Sequence, residues 1–114
     1  MRQPDTTTRL RHMLDAAREA RGFAAGRSRA DLDTDRGLGL ILTRLLEITG
    51  EAANNVPPAF RAGHPSIPWR AVIGMRHRLT HAYHEVDLDI VWDTVTLNLP
   101  PLIEELERLL ADAG

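Results

Sequence analysis

The chain contains no cysteine and no lysine. Without cysteine there is no disulfide to staple a small fold and no thiolate to attack a substrate or hold a soft metal. Without lysine, every fixed positive side chain is a guanidinium, and there are 14 of them. A genome rich in G and C would produce that bias by itself, yet the planar fork of arginine also suits phosphate better than a point charge does. Aromatic residues are scarce at 4%, with a single tyrosine. No apolar run reaches the roughly 18 residues that would suggest a membrane span. Met1-Arg2-Gln3-Pro4-Asp5 leads into a polar amphipathic stretch and lacks the apolar centre of a secretory leader. Repeats, low-complexity tracts and linkers are missing as well. These absences point to a cytoplasmic protein with no membrane partner and no disulfide or thiolate chemistry.

What is present fits one compact unit, residues 1–114. Apolar residues make up 43% and charged residues 26%, a globular balance rather than a disordered one. A chain this long buries roughly two-thirds of its unfolded surface, enough for one modest core. The net charge of −2 conceals an asymmetry: residues 1–83 carry 13 Arg against 8 acidic groups, and residues 84–114 carry only Arg108 against another 8. The acidic end reads as a solvated helix face or as a surface that docks on the basic part of a second copy.

Hydrophobic periodicity predicts four to five helices and no strand. The first spans about Thr7 to Ala25, with Asp5 or Thr6 as cap, an apolar stripe of Leu10, Met13, Leu14, Ala17 and Ala24, and Gly26 as its stop. Ser28-Arg29-Ala30-Asp31 has the form of a capping box ahead of Leu32. A second long helix spans Asp35 to Asn54, apolar at Leu38, Ile41, Leu42, Leu45, Ile48, Thr49 and Ala52, and Pro57-Pro58 follow it. Residues 55–67 read as a loop. Pro68 opens the next helix, which buries Trp69, Val72, Ile73 and Leu79. After a break at His84 to Asp87, Asp87 or Asp89 caps the last helix. Ile90, Val91, Trp92, Val95, Leu97 and Leu99 feed its core side. Pro100-Pro101 should kink or break it before Leu102, Ile103, Leu106, Leu109 and Leu110 resume the stripe. The expected fold is an all-α, antiparallel up-and-down helical bundle.

Chemistry concentrates in residues 76–84, Arg-His-Arg-Leu-Thr-His-Ala-Tyr-His, which hold three of the five histidines. Arginine offers a permanent fork for phosphate. Histidine gives and takes protons near neutral pH. Tyrosine offers a hydroxyl and a stacking face. On an ideal helix Arg76 and His81 lie about 140° apart, so both cannot face one phosphate from the middle of a straight helix. Either the helix ends near His81, or two copies meet across a two-fold axis and Arg76 of one approaches His81 of the other. Arg76 and Tyr83, seven apart, share a face.

Arg76-x-x-x-x-His81-x-Tyr83 resembles the signature of HepT-like proteins in the HEPN superfamily. The likeness extends to Ile67-Pro68-Trp69-Arg70 and Ile73-Gly74-Met75-Arg76 before the motif. It continues through Val86-Asp87-Leu88-Asp89-Ile90-Val91-Trp92 and Leu99-Pro100-Pro101-Leu102 after it, and Glu47-Ile48-Thr49-Gly50-Glu51-Ala52 upstream. It spans about residues 35–110. The resemblance implies a homodimeric helical bundle that cleaves RNA without a metal or other cofactor. It also implies a partner antitoxin with a minimal nucleotidyltransferase fold, which transfers AMP to the motif tyrosine. By position, Arg76 and His81 are then catalytic and Tyr83 is the AMP acceptor. His77 and Arg78 are candidates for substrate phosphate, with His77 standing where close relatives often have Asn. RNA, and not DNA, is the expected substrate. Such a site would use His81 as acid or base on a ribose 2′-hydroxyl and Arg76 to stabilise phosphate charge, leaving a 2′,3′-cyclic phosphate and a free 5′-hydroxyl.

Two other readings stand beside this one. A non-catalytic HEPN module would hold a nucleotidyltransferase, a nucleotide or RNA and cut nothing. A metal site could form from His77, His81 and His84 with Glu85 or Asp87, since histidines four and three apart share a helical face. Glu47 and Glu51, one turn apart, could mimic an acid–base pair but more simply form an exposed helix face.

Overall fold

The computed structural model describes residues 4–79 and 85–113. It is an all-α bundle with extents of 49 × 31 × 20 Å. Helix α1 (Pro4–Ala24) and helix α3 (Arg36–Asn54) are the two longest and pack on each other, and the last helix lies against α1. The α1 stripe is buried as its spacing predicts: Leu10, Met13, Leu14, Ala17 and Ala24, joined by Ala16 and Ala20. Those alanines let the neighbouring helices approach closely. The helix begins at Pro4, a residue tolerated in a first turn because its missing N–H has no partner there anyway. Asp5 and Thr6 therefore lie inside the helix rather than capping it. Gly26 adopts φ +74°, the left-handed conformation that ends α1.

A single turn, α2 (Asp31–Thr34), follows and buries Leu32. The Asp31 carboxylate accepts the Ser28 N–H at 2.7 Å, half of the expected capping box. Asp35 caps α3 by accepting the Leu38 N–H at 3.0 Å. Along α3, Leu38, Leu42, Leu45, Leu46, Thr49 and Ala52 are buried, and Ile41 and Ile48 flank them. Leu42 and Leu46 are fully enclosed. Each such leucine contributes about 1.5–3 kcal/mol of hydrophobic stabilisation. The Thr49 hydroxyl donates to the Leu45 carbonyl at 2.8 Å, so its burial leaves no polar atom unsatisfied.

The stretch 55–67 is not all loop. Pro58 starts a short helix, α4 (Pro58–Ala62), with Pro57 as its cap. The proline pair that ends α3 thus also starts α4, because φ near −65° suits a first helical turn. Beyond Pro68 come α5 (Trp69–Ile73) and α6 (Met75–Leu79), separated at Gly74, where the sequence pattern predicts a single helix. Asp87 caps α7 (Leu88–Asp93) by accepting the N–H groups of Asp89 and Ile90 at 3.0 and 3.2 Å.

Residues Thr94–Asn98 form a π-helical turn that leads directly into α8 (Leu99–Ala113). The interruption expected at Pro100-Pro101 takes this form. Neither proline can donate to the carbonyls of Thr96 and Leu97, so the ladder is re-registered upstream, and the Leu99 N–H bonds to the Thr94 carbonyl five residues back. The wider turn also serves packing. Val91, Val95 and Leu99 are all fully buried at successive spacings of four, which would drift by about 80° over two turns of a regular helix. Leu97 departs from expectation: it is 68% exposed, on the outside of the π-turn, and is not a core residue.

Candidate active site

Helix α6, which follows α5, carries the start of the motif at Arg76, and the long helix beneath sets the position of both. Trp69 and Val72 of α5 and Met75 and Leu79 of α6 are buried. The backbone of α5 rests on α3 at Gly50, where a Cβ would lie 2.9 Å from the Val72 carbonyl oxygen. Only glycine permits that approach without a shift. The entry to α5 is fixed from the other side. The Trp69 indole N–H donates to the His64 carbonyl at 2.9 Å, and the ring of Phe60 meets Trp69 edge-on with centroids 6.5 Å apart. Phe60 also stacks on the His64 imidazole at 3.9 Å. Trp69 is thus a core residue, as its position before the motif suggests.

With Met75 and Leu79 turned inward, the three residues between them face out. Arg76, His77 and Arg78 are all exposed on α6. The other members of the motif, His81 and Tyr83, lie outside the described residues, as does His84. The geometry relating Arg76 to His81, and the alternatives drawn from their 140° offset, therefore stay as expectations. What is described is the frame around them. Before them stands Leu79, only 1% exposed, and after them Asp87, whose N–H donates to the Leu79 carbonyl at 2.7 Å.

Beside α6 lies a groove of about 350 Å³ between α5–α6 and the start of α8. Val72, Met75, Leu99 and Leu102 form its apolar floor, and Arg78 and Asn98 stand among its lining residues. Hydrophobic periodicity carries no sign of this groove, because it depends on where the π-turn places α8. Of the other candidates, Glu47 and Glu51 share one ion-pair partner, Arg44, at 3.6 and 3.5 Å, which makes them a solvated helix face and not an acid–base pair. Asp87 is engaged as the α7 cap.

These features define a class: a small helical bundle that carries an exposed Arg-His-Arg turn immediately ahead of a second histidine and a tyrosine. The profile of the family described as ribonuclease HepT-like matches residues 13–109, and the chain belongs to that family. A protein of Thermococcus cleftensis named as a probable ribonuclease HepT is 42% identical over 79 residues, covering 69% of this chain and 72% of its own length. A candidate RNase, by its name, of Caldanaerobacter subterraneus subsp. tengcongensis is 35% identical over 101 residues, covering 89% and 90%. Another from Methanocaldococcus jannaschii is 27% identical over 107 residues, covering 94% and 98%. No solved structure matches the chain.

Proposed function

We propose that the protein is a metal-independent endoribonuclease and the toxin of a toxin–antitoxin pair. The observation that carries this reading is the Arg76-x-x-x-x-His81-x-Tyr83 signature, which falls within the stretch matched by the ribonuclease family and begins on the exposed side of α6. His81 acts on the ribose 2′-hydroxyl as base, or on the leaving oxygen as acid, and Arg76 stabilises the charge that develops on the phosphate. The 2′-oxygen displaces the 5′-oxygen, leaving a 2′,3′-cyclic phosphate and a 5′-hydroxyl. A homodimer brings the motif of one copy toward that of the other. A minimal nucleotidyltransferase partner silences the site by transferring AMP to Tyr83, adding bulk and negative charge where RNA must lie.

The test is cleavage of RNA by the purified protein in a chelator. The parent should cut, and Arg76→Ala or His81→Ala should each lose about 100-fold or more. Cleavage that requires one added metal would favour the His77–His81–His84 alternative. RNA binding with no cleavage by the parent would favour the non-catalytic module. For the silencing step, Tyr83→Phe keeps the ring and removes the acceptor, so it should stay toxic in cells that express the nucleotidyltransferase. Full neutralisation of that variant, with no adduct by mass spectrometry, would mean that the partner works by binding alone.

A further inference from the structure

From residue 52 to residue 84 the chain contains no aspartate or glutamate, yet it holds Arg61, Arg70, Arg76, Arg78 and four histidines. The fold does not bring acids in to neutralise this stretch evenly. Arg18, Arg27, Arg29, Arg44 and Arg108 are paired with carboxylates. Arg61, Arg70 and Arg78 have no ion-pair partner among the described residues, and neither do Arg9, Arg11, Arg21 and Arg36. What sets the first three apart is their place: they stand on consecutive short helices in a stretch with no carboxylate of its own, and so form a basic strip.

The surface under that strip is continuous. Arg61 and Arg70 border a shallow open depression with Pro65, Pro68, Trp69 and Ala71. Pro68 and Ala71 also line the deeper groove that contains Arg78. A path therefore runs from α4 across the start of α5 to α6, where Arg76 begins the motif. Its floor is proline, alanine and valine, flat apolar surface on which bases can rest. Its outer edge is guanidinium. Glu104 and Glu105 stand on the far wall of the deep groove, Glu105 paired with Arg108 at 2.9 Å, so an anionic backbone is confined to the arginine side. The Arg61 Nε is shielded from solvent with no hydrogen-bond partner among the described residues, as is that of Arg9, so the Arg61 stem is packed and its terminal NH groups are the part that can meet an anion.

We infer that Arg61 and Arg70, with Arg78, form an extended binding strip for the phosphates of single-stranded RNA, leading the substrate from α4 to the motif on α6. The inference rests on the ribonuclease reading for the identity of the polyanion, and it adds residues that the motif does not contain. Arg61 and Arg70 are binding residues here and take no part in proton transfer.

Salt-dependent binding is the appropriate measurement, because each phosphate neutralised by the protein adds about 0.7 to the steepness of log affinity against log salt for a single strand. The probe is a labelled single-stranded RNA oligonucleotide. The protein carries His81→Ala so that binding is read without cleavage. Added Arg61→Gln and Arg70→Gln should each weaken binding and make the slope shallower by about 0.7, and the pair by about twice that. Arg18→Gln and Arg29→Gln, in the ion-paired part of the molecule, should change neither. Because the Arg61 stem is packed, Arg61→Lys is the companion variant: it keeps stem and charge and should retain most of the binding. Unchanged affinity and slope in both Gln variants would overturn the strip. So would variants that bind RNA normally but escape the nucleotidyltransferase, which would assign the face to that partner. Failure of the ribonuclease reading shows separately, as parent protein that binds RNA with the predicted slopes and never cleaves it.

Discussion

The long helices α1 and α3 and the run of short helices α4 to α6 are built on different terms. The first pair is held by side chains: leucines, alanines and a methionine at helical spacing, none of which depends on an unusual backbone. The second run is held by backbone events. Pro57 and Pro58 turn the chain into α4, Gly50 admits the α5 backbone, and Gly74 divides α5 from α6. The arginines of the candidate site sit on the second kind of structure. Stability and chemistry are thus separable here, with one region carrying most of the buried volume and the other placing the motif.

Substitutions should separate them in turn. Leu42→Ala removes a fully buried side chain from α3 and should cost about 2–5 kcal/mol in chemical denaturation. Activity per folded molecule should stay at the parent level; a drop beyond the unfolded fraction would show that the two regions are not independent. Gly50→Ala attacks the joint between them. Its methyl group would meet the Val72 carbonyl at 2.9 Å, so α5 must shift, at about 1–3 kcal/mol. RNA cleavage should fall further than stability explains, and an unchanged rate would show that α6 does not take its place from that contact.

A smaller effect is expected at the start of α3. Asp35→Ala deletes the cap on Leu38 and should lower the melting temperature by a few degrees in thermal melts, with cleavage unaffected. The smallest is a pH effect in the same corner. The Arg27 guanidinium and the Leu38 N–H hold the Asp35 carboxyl below its ordinary value of 3.8, and the Ser28 N–H, with Arg27, does the same for Asp31. Both groups bind a proton less readily folded than unfolded. Their contribution is therefore complete at neutral pH. It starts to fade as pH falls through 3.8, and it is gone below their depressed folded values. Arg27→Gln should flatten this acid limb of the melting profile. An identical limb in the variant would remove Arg27 as a cause.

The same division explains what could be read from the residues alone. The apolar stripes of α1 and α3, the Gly26 stop and the cap at Asp87 follow from spacing and from the few residue types that accept or force those conformations. The motif was legible because Arg, His and Tyr crowd into nine positions and match a family pattern. Less could be read where backbone and tertiary contact decide. Pro57-Pro58 signals both an end and a beginning, and α4, which buries none of its own residues, offers no apolar spacing to choose between them. Leu97 fits an apolar stripe until the π-turn rotates it outward, and which arginines have no carboxylate partner among the described residues emerges only from the tertiary arrangement.

The π-turn at Thr94–Asn98 also makes the C-terminal helix sensitive to residue count. It acts as a phase shifter, holding one more residue than a regular turn would. Deleting one residue there would let α7 and α8 join as a uniform helix with Val91 and Leu99 seven positions apart, still within about 20° of one face. Adding one would exceed what the wide turn absorbs, and everything downstream would be turned by about 100° relative to Val91. Leu102 and Leu106, now buried, would then swing away from α1, and the wall that α8 lends to the groove beside Arg78 would go with them. The turn is already filled, so the chain can be shortened here more easily than it can be lengthened.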